Sequence, residues 1–553
     1  MSGTTNPAAP LLRILGLWRG RSLWLLLGLL VSLAALTASV ALMYSAGTMV
    51  AVGSGVAITA GVAGIAVMLR VFGLSRIALR YLERLATHAA TFRALADLRI
   101  WFFRGLARSS AGGLGFRRAG DLLSRLVSDV EALDGLYLRI LIPLAGAILL
   151  LPLLALAAGR VDWGLAVILC VLFALTAFVL PGLAARRTLA EGENLATATA
   201  ALRTAAADAL SGLREVRAFG AEGRVAAAIQ AREARLFETQ RRIALRGATA
   251  QAAAFLLGQA AILAILIFAG TGPAAATGLI FLALAAFEAI AILPRAGVLA
   301  GHSAAAAARI IEAAEAPVPY PDPAIPAKPP TRSALRLEGV SFRWQDDRDA
   351  VLDGMTLDIP HGSRVAILGP SGAGKSTIAA LLLKVAAPQE GRITLGGTDL
   401  ADLSAHDVRD RISHLSQATH LFDDTIRNNL RIGRPDADDA AIWAALDQAA
   451  IGETVRNLPH GLNSWVGEGG HRFSGGQGRR LALARTLLSP APILILDEPA
   501  TGLDAATERA FLETLNASTQ GRTIILIAHR LTGVEKLDRI WRLSAGRAIA
   551  AAA

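Results

Sequence analysis

The clearest chemical signal in the sequence is a glycine-rich loop at residues 369–377, which reads Gly-Pro-Ser-Gly-Ala-Gly-Lys-Ser-Thr. An apolar block of strand length precedes it and an apolar helical stretch follows, which is the setting of a phosphate-binding loop. Its glycines let backbone N–H groups close around phosphate oxygens, and the helix N-terminus adds positive potential. The predicted nucleotide-binding residues are Gly369, Pro370, Ser371, Gly372, Ala373, Gly374, Lys375, Ser376 and Thr377. We expect Lys375 to reach the β- and γ-phosphates and the Ser376 hydroxyl to bind Mg²⁺; the competing interpretation is a flexible glycine loop without a ligand.

A second signal is a pair of carboxylates at the end of an apolar strand. Residues 493–496 read Ile-Leu-Ile-Leu and are followed by Asp497 and Glu498. Asp497 suits the Mg²⁺ shell, and Glu498 is placed to polarise an attacking water molecule. The alternative interpretation is that these are two exposed acids at a strand end without a role in catalysis. The phosphate-binding loop elsewhere in the sequence favours the catalytic interpretation.

Residues 473–477, Phe-Ser-Gly-Gly-Gln, precede a helical stretch with Arg479 and Arg480, and here the chain resembles the ATP-binding cassette family. The family signature usually begins with leucine, so Phe473 is a mild departure. The resemblance implies that Trp344 stacks on adenine, that Gln417 is the catalytic Q-loop glutamine and a Mg²⁺ ligand, and that His529 senses the γ-phosphate. It also places Asp504 in the D-loop. Taken singly, Trp344 would be a core residue and His529 an ordinary loop histidine.

The same resemblance implies that two cassettes close head to tail around ATP. Each ATP is held by the phosphate-binding loop of one cassette and the signature of the other, here Ser474, Gly475, Gly476 and Gln477. A chain with one cassette is therefore expected to be half of a transporter and to need a second copy or a different partner.

The first half of the chain explains the unusual composition. Of 553 residues, 54% are hydrophobic and 18% charged, and the mean hydropathy is +0.48. This composition excludes a soluble enzyme of ordinary type, a disordered chain and a disulfide scaffold, since Cys170 is the only cysteine. Six apolar stretches long enough to span a bilayer are predicted near residues 22–43, 50–72, 139–158, 161–183, 248–270 and 275–297. No cleavable signal peptide is expected, because residues 1–21 are polar and the next apolar run is long.

The excess of positive over negative charge belongs to this apolar half. Residues 1–320 carry 29 arginines, no lysine and 17 acids, whereas residues 321–553 are nearly neutral. Most of these arginines lie in the long gaps at residues 73–138 and 184–247, which places those gaps, both termini and the cassette in the cytoplasm. A nucleic-acid surface is the other interpretation of a basic excess, but nothing else in the sequence supports it, and we expect no nucleic-acid partner.

The predicted fold is a membrane all-α domain of six helices joined to an α/β nucleotide-binding domain. The long gaps are helical in periodicity and are interrupted by glycines near residues 111–120 and 208–220, so two cytoplasmic hairpins with coupling helices at their tips are expected. Seven prolines between residues 316 and 330 exclude helix and strand there. The predicted domains are residues 1–315 in the membrane, a linker at 316–333 and the cassette at 334–553.

The membrane half also resembles one group of exporters, the CydDC family, in its CydC-type subunits. The resemblance lies in residues 80–93, 120–125 with 129–139, 285–289 and 461–465. It implies a heterodimer with a CydD-like half-transporter in the bacterial inner membrane, contact with membrane lipid, and ATP-driven export of glutathione and L-cysteine to the periplasm in support of cytochrome bd assembly. Cargo of another kind, namely heme, lipid or a hydrophobic compound, and a heme-responsive regulatory ATPase that transports nothing are the alternatives.

Two residues of the membrane half are candidates with open alternatives. The resemblance implies a heme association in which His88 would be the axial ligand, whereas an ordinary polar residue at the membrane border is the other interpretation. Glu288 lies inside the last apolar stretch, where a charge is costly and usually faces the bundle interior. It is therefore predicted either to contact substrate or to pair with a base such as Arg295.

Overall fold

The computed structural model describes residues 8–53, 62–108, 125–268, 273–345, 348–417, 419–500, 505–519 and 521–551. The chain divides into two compact units on either side of residue 317. The first unit is helical and the second is an α/β unit. Residues 315–334, which include the seven prolines, contain no helix or strand.

The helical unit contains ten α-helices in its described part. They are α1 (Ala8–Leu17), α2 (Ser22–Gly53), α3 (Val62–Arg108), α4 (Ile142–Gly159), α5 (Trp163–Ala174), α6 (Leu180–Ser211), α7 (Leu213–Ala218), α8 (Glu222–Phe268), α9 (Pro273–Ile290) and α10 (Leu293–Ala314). One-turn π-helical segments precede α4 and join α5 to α6. Six helical stretches among these residues are long and apolar enough to cross a membrane, which confirms the predicted number of spans.

The first two predicted spans, near residues 22–43 and 50–72, leave a gap at residues 44–49. This prediction was wrong, because α2 continues through these residues to Gly53. The segment contains neither proline nor a charged residue. Its hydroxyl groups are satisfied within the helix, since Ser45 donates to the Ala41 carbonyl at 2.7 Å and Thr48 to the Ser45 carbonyl at 2.8 Å. Nothing in the segment therefore stops the helix.

The last predicted span is interrupted where a continuous helix was expected. The helix α9 ends at Ile290, and α10 begins at Leu293 with Pro294 in its first turn. Proline lacks a backbone N–H and is favoured in the first turn of a helix, where that N–H would have no partner, so a new helix begins at this point.

The two arginine-rich segments are helical where they are described. The helices α3 and α8 each have 47 residues and are therefore about 70 Å long, more than twice a bilayer core. The second glycine-containing break holds the short helix α7, which follows Gly212. The first break, near residues 111–120, lies outside the described residues.

The second unit contains ten strands and seven further α-helices in its described part. The strands are β1 (Leu335–Phe342), β2 (Leu352–Ile359), β3 (Arg364–Leu368), β4 (Glu390–Leu395), β5 (Thr398–Asp399), β6 (Ile412–Leu415), β7 (Ile493–Asp497), β8 (Thr523–Ala528), β9 (Arg539–Ser544) and β10 (Arg547–Ala551). The helices are α11 (Lys375–Leu382), α12 (Ala405–Arg411), α13 (Ile426–Arg431), α14 (Asp439–Gln448), α15 (Gly452–Arg456), α16 (Gly475–Leu488) and α17 (Ala505–Ser518).

The strands form two sheets that decide where the site lies. Four antiparallel strands follow the order β2-β1-β4-β5, and six strands follow the order β10-β9-β3-β8-β7-β6. In the larger sheet β9, β3, β8, β7 and β6 are parallel, so their carboxyl ends meet at one edge. Alternate faces of β7 and β8 supply two apolar cores. Ile493 and Ile525 face the core shared with the antiparallel sheet, whereas Leu494 and Leu526 face the core beneath α14, α16 and α17.

Candidate functional site

Four predicted site segments begin at the carboxyl edge of the parallel sheet. The phosphate-binding loop follows β3, the two carboxylates end β7, His529 follows β8, and Gln417 follows β6. Because β3, β8, β7 and β6 are consecutive neighbours in the sheet, residues far apart in the chain are brought to one edge. Ligands of open parallel sheets bind outside this edge.

The phosphate-binding loop has a backbone that glycine alone accommodates at one position. Gly374 has φ +99°, and a Cβ atom there would lie 2.8 Å from the Leu352 side chain. The loop leads directly into α11, whose first residue, Lys375, is buried and donates to the carbonyls of Gly369 at 2.6 Å and Pro370 at 3.0 Å. The hydroxyl-bearing Ser376 is exposed in the first helical turn. The loop thus presents a cation, a hydroxyl group and a helix N-terminus together.

Trp344 lies beside this loop and also packs on the core. Its indole Nε1 donates to the Thr377 hydroxyl at 3.2 Å, and its ring meets Phe342 edge to face at 5.0 Å between centroids. The two interpretations of Trp344 are therefore compatible, because one half-buried side chain serves the core and adjoins the loop.

The two carboxylates at the end of β7 lie in different surroundings. Asp497 is 4% exposed, and its burial, with the adjacent Glu498 charge, raises the pKa of its carboxyl group above the ordinary value. Glu498 has a left-handed backbone, φ +49°, and its N–H donates to the Ile527 carbonyl at 2.8 Å. Its carboxylate oxygen lies 2.7 Å from Nε2 of His529. A strained backbone at a non-glycine residue is typical of functional sites.

Arg479 connects three parts of the site, a role that sequence reasoning did not assign. From the second turn of α16 its guanidinium donates to the Asp497 carbonyl at 2.5 Å, the Glu498 carbonyl at 2.8 Å and the Gln417 carbonyl at 2.8 Å. The Gln417 side chain itself is exposed. In the sequence, the only signal for the role of Arg479 was its position just after the signature, because residue types do not show which backbone carbonyls a side chain contacts.

The signature residues form the start of α16. The Ser474 hydroxyl accepts from the Gln477 N–H at 3.3 Å, and the Gln477 side-chain oxygen accepts from the Ser474 N–H at 2.9 Å. This reciprocal capping fixes the helix start and leaves Gly475 open to solvent. Phe473 is half-buried against the apolar core beneath α16, as expected for a packing position. Asp504 lies outside the described residues.

The two candidates of the membrane half lie on different helices. His88 is exposed on α3, and its ring lies 5.8 Å from that of Phe92. Glu288 lines a cavity of about 360 Å³ within the helical unit, with Arg76, Arg80 and Glu83 of α3. Among the described residues, the ion pairs of this unit join other partners: Arg13–Glu315, Arg21–Asp97, Arg241–Glu238, Arg246–Glu191 and Arg309–Asp129.

Comparison with known proteins agrees with this arrangement. The profile described as "ABC transporter transmembrane region" matches residues 25–289, and the one described as "ABC transporter" matches residues 352–501. The chain is 36% identical over 491 residues to the glutathione/L-cysteine transport system ATP-binding/permease protein CydC of Escherichia coli K12, covering 88% of this chain and 85% of that protein. It is 31% identical over 499 residues to the corresponding protein CydD of Bacillus subtilis 168, with coverage of 87% and 85%.

A solved structure of a bacterial Atm1-family ABC exporter with ATP bound superposes with a TM-score of 0.84, at 26% identity, over 96% of this chain and 94% of that one. The chain belongs to the ATP-binding cassette exporters whose transmembrane and ATPase domains are fused in one polypeptide. Within that family it is a half-transporter related to the CydC and CydD proteins, which implies a dimer partner. It is a multi-pass membrane protein whose cassette binds ATP and couples ATP hydrolysis to transport.

Proposed function

We propose that this chain is a CydC-type subunit that pairs with a CydD-like half-transporter in a bacterial inner membrane. The assembly exports glutathione and L-cysteine to the periplasm and thereby supports cytochrome bd assembly. The observation that carries this proposal is the 36% identity to Escherichia coli CydC, which extends over 88% of the chain and therefore over both units.

The residues at the sheet edge divide the work of ATP hydrolysis. Lys375 and the N–H groups of residues 369 and 371–374 hold the phosphates, and Trp344 adjoins the loop on the side proposed for adenine. Ser376, Asp497 and Gln417 offer the oxygen ligands that Mg²⁺ prefers, and the ion would neutralise phosphate charge. Glu498 accepts a proton from the attacking water, while His529, whose Nε2 lies 2.7 Å from the Glu498 carboxylate, orients that carboxylate.

The signature requires a partner for its proposed role. Ser474, Gly475, Gly476 and Gln477 contact the ATP held by the partner's phosphate-binding loop. Asp504, which lies outside the described residues, is the proposed D-loop residue. Arg479 ties this signature helix to the backbone that carries the two carboxylates. The short helix α7 is the proposed coupling element of the second hairpin.

Glu498→Gln tests the ATPase assignment in the purified heterodimer. Because a positioned general base contributes about 100-fold or more, we expect turnover at this site to fall by at least that factor while the KM for ATP stays unchanged. Glu513→Gln, on the surface of α17 and paired only with Arg509 at 3.8 Å, is the matched control and should keep wild-type activity. Wild-type rates for Glu498→Gln would refute the assignment.

Thiol transport is tested with inverted membrane vesicles that contain both subunits. ATP-dependent accumulation of radiolabelled glutathione or L-cysteine, lost in Glu498→Gln, is the expected result. Vesicles that accumulate neither thiol would contradict the proposed cargo. Mass identification of the chain that co-purifies would test the CydD-like partner.

The mechanism proposed above does not use heme. His88 is exposed and its ring neighbour is Phe92, so its contacts among the described residues do not build a porphyrin pocket. His88→Ala in the purified heterodimer should therefore leave both ATPase activity and any heme absorbance unchanged. A loss of heme absorbance would instead favour the heme-linked alternatives.

A further inference from the structure

The cavity that contains Glu288 is unusual in its chemistry. It has a volume of about 360 Å³, within the range of small-ligand sites, and lies among α2, α3, α4 and α9. Apolar side chains such as Met43 and Leu36 of α2 form part of its wall. Four charged side chains of both signs also line it, although the surrounding helices are spans of the membrane unit.

Three of the charges share one face of α3. Arg76, Arg80 and Glu83 follow one another at four- and three-residue steps, so their side chains lie on the same side of the helix. Glu288 enters the cavity from α9, whose neighbour α2 also packs against α3. The cavity therefore presents two guanidinium groups and one carboxylate from α3 and a second carboxylate from α9.

Within the described part of the helical unit these charges form no ion pair at 4.0 Å or less, although Glu83 interacts electrostatically with Arg80 and Arg84. Its ion pairs involve neither Arg76, Arg80, Glu83 nor Glu288, and Glu288 is not paired with Arg295. The Ser32 side chain, 4% exposed, also lines the cavity, where its hydroxyl group lies beside the Glu83 carboxylate. Charged side chains that face a cavity without an ion-pair partner are costly to desolvate, so a ligand with complementary groups would be strongly favoured.

We infer that this cavity binds a small zwitterion that carries carboxylate and ammonium groups, an amino acid or short peptide. The arginines would bind carboxylates through paired N–H donors, and the glutamates would bind the ammonium group. The inference rests on the proposed function and deepens it, since glutathione has two carboxylates and one ammonium group and L-cysteine has one of each. A porphyrin or an uncharged hydrophobic compound has no group for the glutamates.

The experiment uses the heterodimer in inverted vesicles and in detergent. Arg80→Gln should raise the KM for glutathione about 10-fold or more, because a hydrogen bond to a charged group is lost. Arg76→Gln combined with Arg80→Gln should impair glutathione uptake more than L-cysteine uptake, and Glu288→Gln should impair both. Arg70→Gln is the matched control, since Arg70 is an exposed arginine of α3 outside the cavity lining.

Two further variants keep the test decisive if a charge substitution prevents folding. Arg80→Lys retains the charge and should restore most of the affinity. Ser32→Ala removes the hydroxyl group beside Glu83 and should raise the KM for glutathione a few-fold. Wild-type thiol uptake in all of these variants would overturn the site while leaving the proposed cargo intact.

Binding separates failure of the site from failure of the proposed function. The melting temperature of the heterodimer is measured with S-methylglutathione, glycylglycine and L-alanine. Stabilisation by any of them in the wild type, but not in Arg80→Gln, would support the site even if no thiol were transported. No stabilisation by any zwitterion would overturn it.

Discussion

Arg479 provides the sharpest test of how the catalytic carboxylates are held. It donates to backbone carbonyls only, at Asp497, Glu498 and Gln417, with distances from 2.5 to 3.1 Å. Arg479→Gln would shorten the side chain and remove the charge, leaving these carbonyls without their donor. The neighbouring Arg480 is the matched control, because it also donates to backbone carbonyls, Ala450 at 2.7 Å and Gly476 at 3.4 Å, away from the carboxylates.

The size of the effect follows from these bonds. A hydrogen bond to a charged group contributes roughly 1.5–3 kcal/mol. Because the Arg479 side chain is half-buried, the lower value applies, and two such bonds at the Asp497 and Glu498 carbonyls amount to about 3 kcal/mol. If this energy holds Glu498 in its left-handed conformation during hydrolysis, kcat at this site should fall about 100-fold. The KM for ATP should change little, since Lys375 and residues 369–374 are untouched.

The assay must report this chain's site separately from its partner's. Vanadate-dependent photolabelling with 8-azido-ATP, followed by electrophoretic separation of the two chains, does so alongside steady-state ATPase rates. Arg479→Lys keeps the charge but has a single donor atom, which cannot span all three carbonyls, so it should give an intermediate rate. Because the Arg479 charge also opposes the raised pKa of Asp497, its loss should move the acid limb of the rate profile to higher pH. Equal losses in Arg479→Gln and Arg480→Gln, or none in the former, would refute the reasoning.

Two predictions concern stability. A Cβ atom on Gly297 of α10 would lie 2.3 Å from the Pro181 carbonyl oxygen of α6, so Gly297→Ala should destabilise the helical unit by about 1–3 kcal/mol. The measurement is the melting temperature of the detergent-solubilised heterodimer, which should fall. Gly182→Ala, with open space around it, is the control, and equal melting temperatures for the two variants would refute the close packing. Burial lowers the pKa of His414 in β6 from 6.5 to about 4. Between these pH values the unfolded chain binds more protons than the folded chain, so the stability present above pH 6.5 is lost as the pH falls. The loss in the free energy of unfolding at pH 5 should be about 2 kcal/mol, measured as a cassette melting temperature that falls as the pH is lowered. His414→Leu should abolish this fall, whereas His460→Gln, at an exposed residue, should not.

Several features could be predicted because they depend on local pattern alone. The spans follow from runs of apolar residues, and the phosphate-binding loop from glycine spacing that ordinary side chains cannot replace. The strand Arg364–Leu368 and the helix after it were predicted from the same local signal and are confirmed. Such features are fixed by neighbours in the chain, so a sequence reports them directly.

Other features depended on contacts between distant segments. The gap between the first two predicted spans was wrong for a local reason, since hydroxyl groups bonded within the helix allow α2 to continue to Gly53. The role of Arg479 was missed because its partners are backbone carbonyls of residues 18, 19 and 62 positions away. Residue types do not encode backbone acceptors, so only the folded chain reveals them.

The sequence by itself determined the two-part organisation of this protein and its six membrane spans, and it predicted which residues bind and hydrolyse ATP. Only the tertiary structure decided that Glu498 meets His529, and that Arg76, Arg80, Glu83 and Glu288 share one cavity. Parallel strand order and helix packing bring these groups together across hundreds of residues. Linear spacing cannot specify such distances, because they arise from how the elements pack and not from the order in which the residues occur.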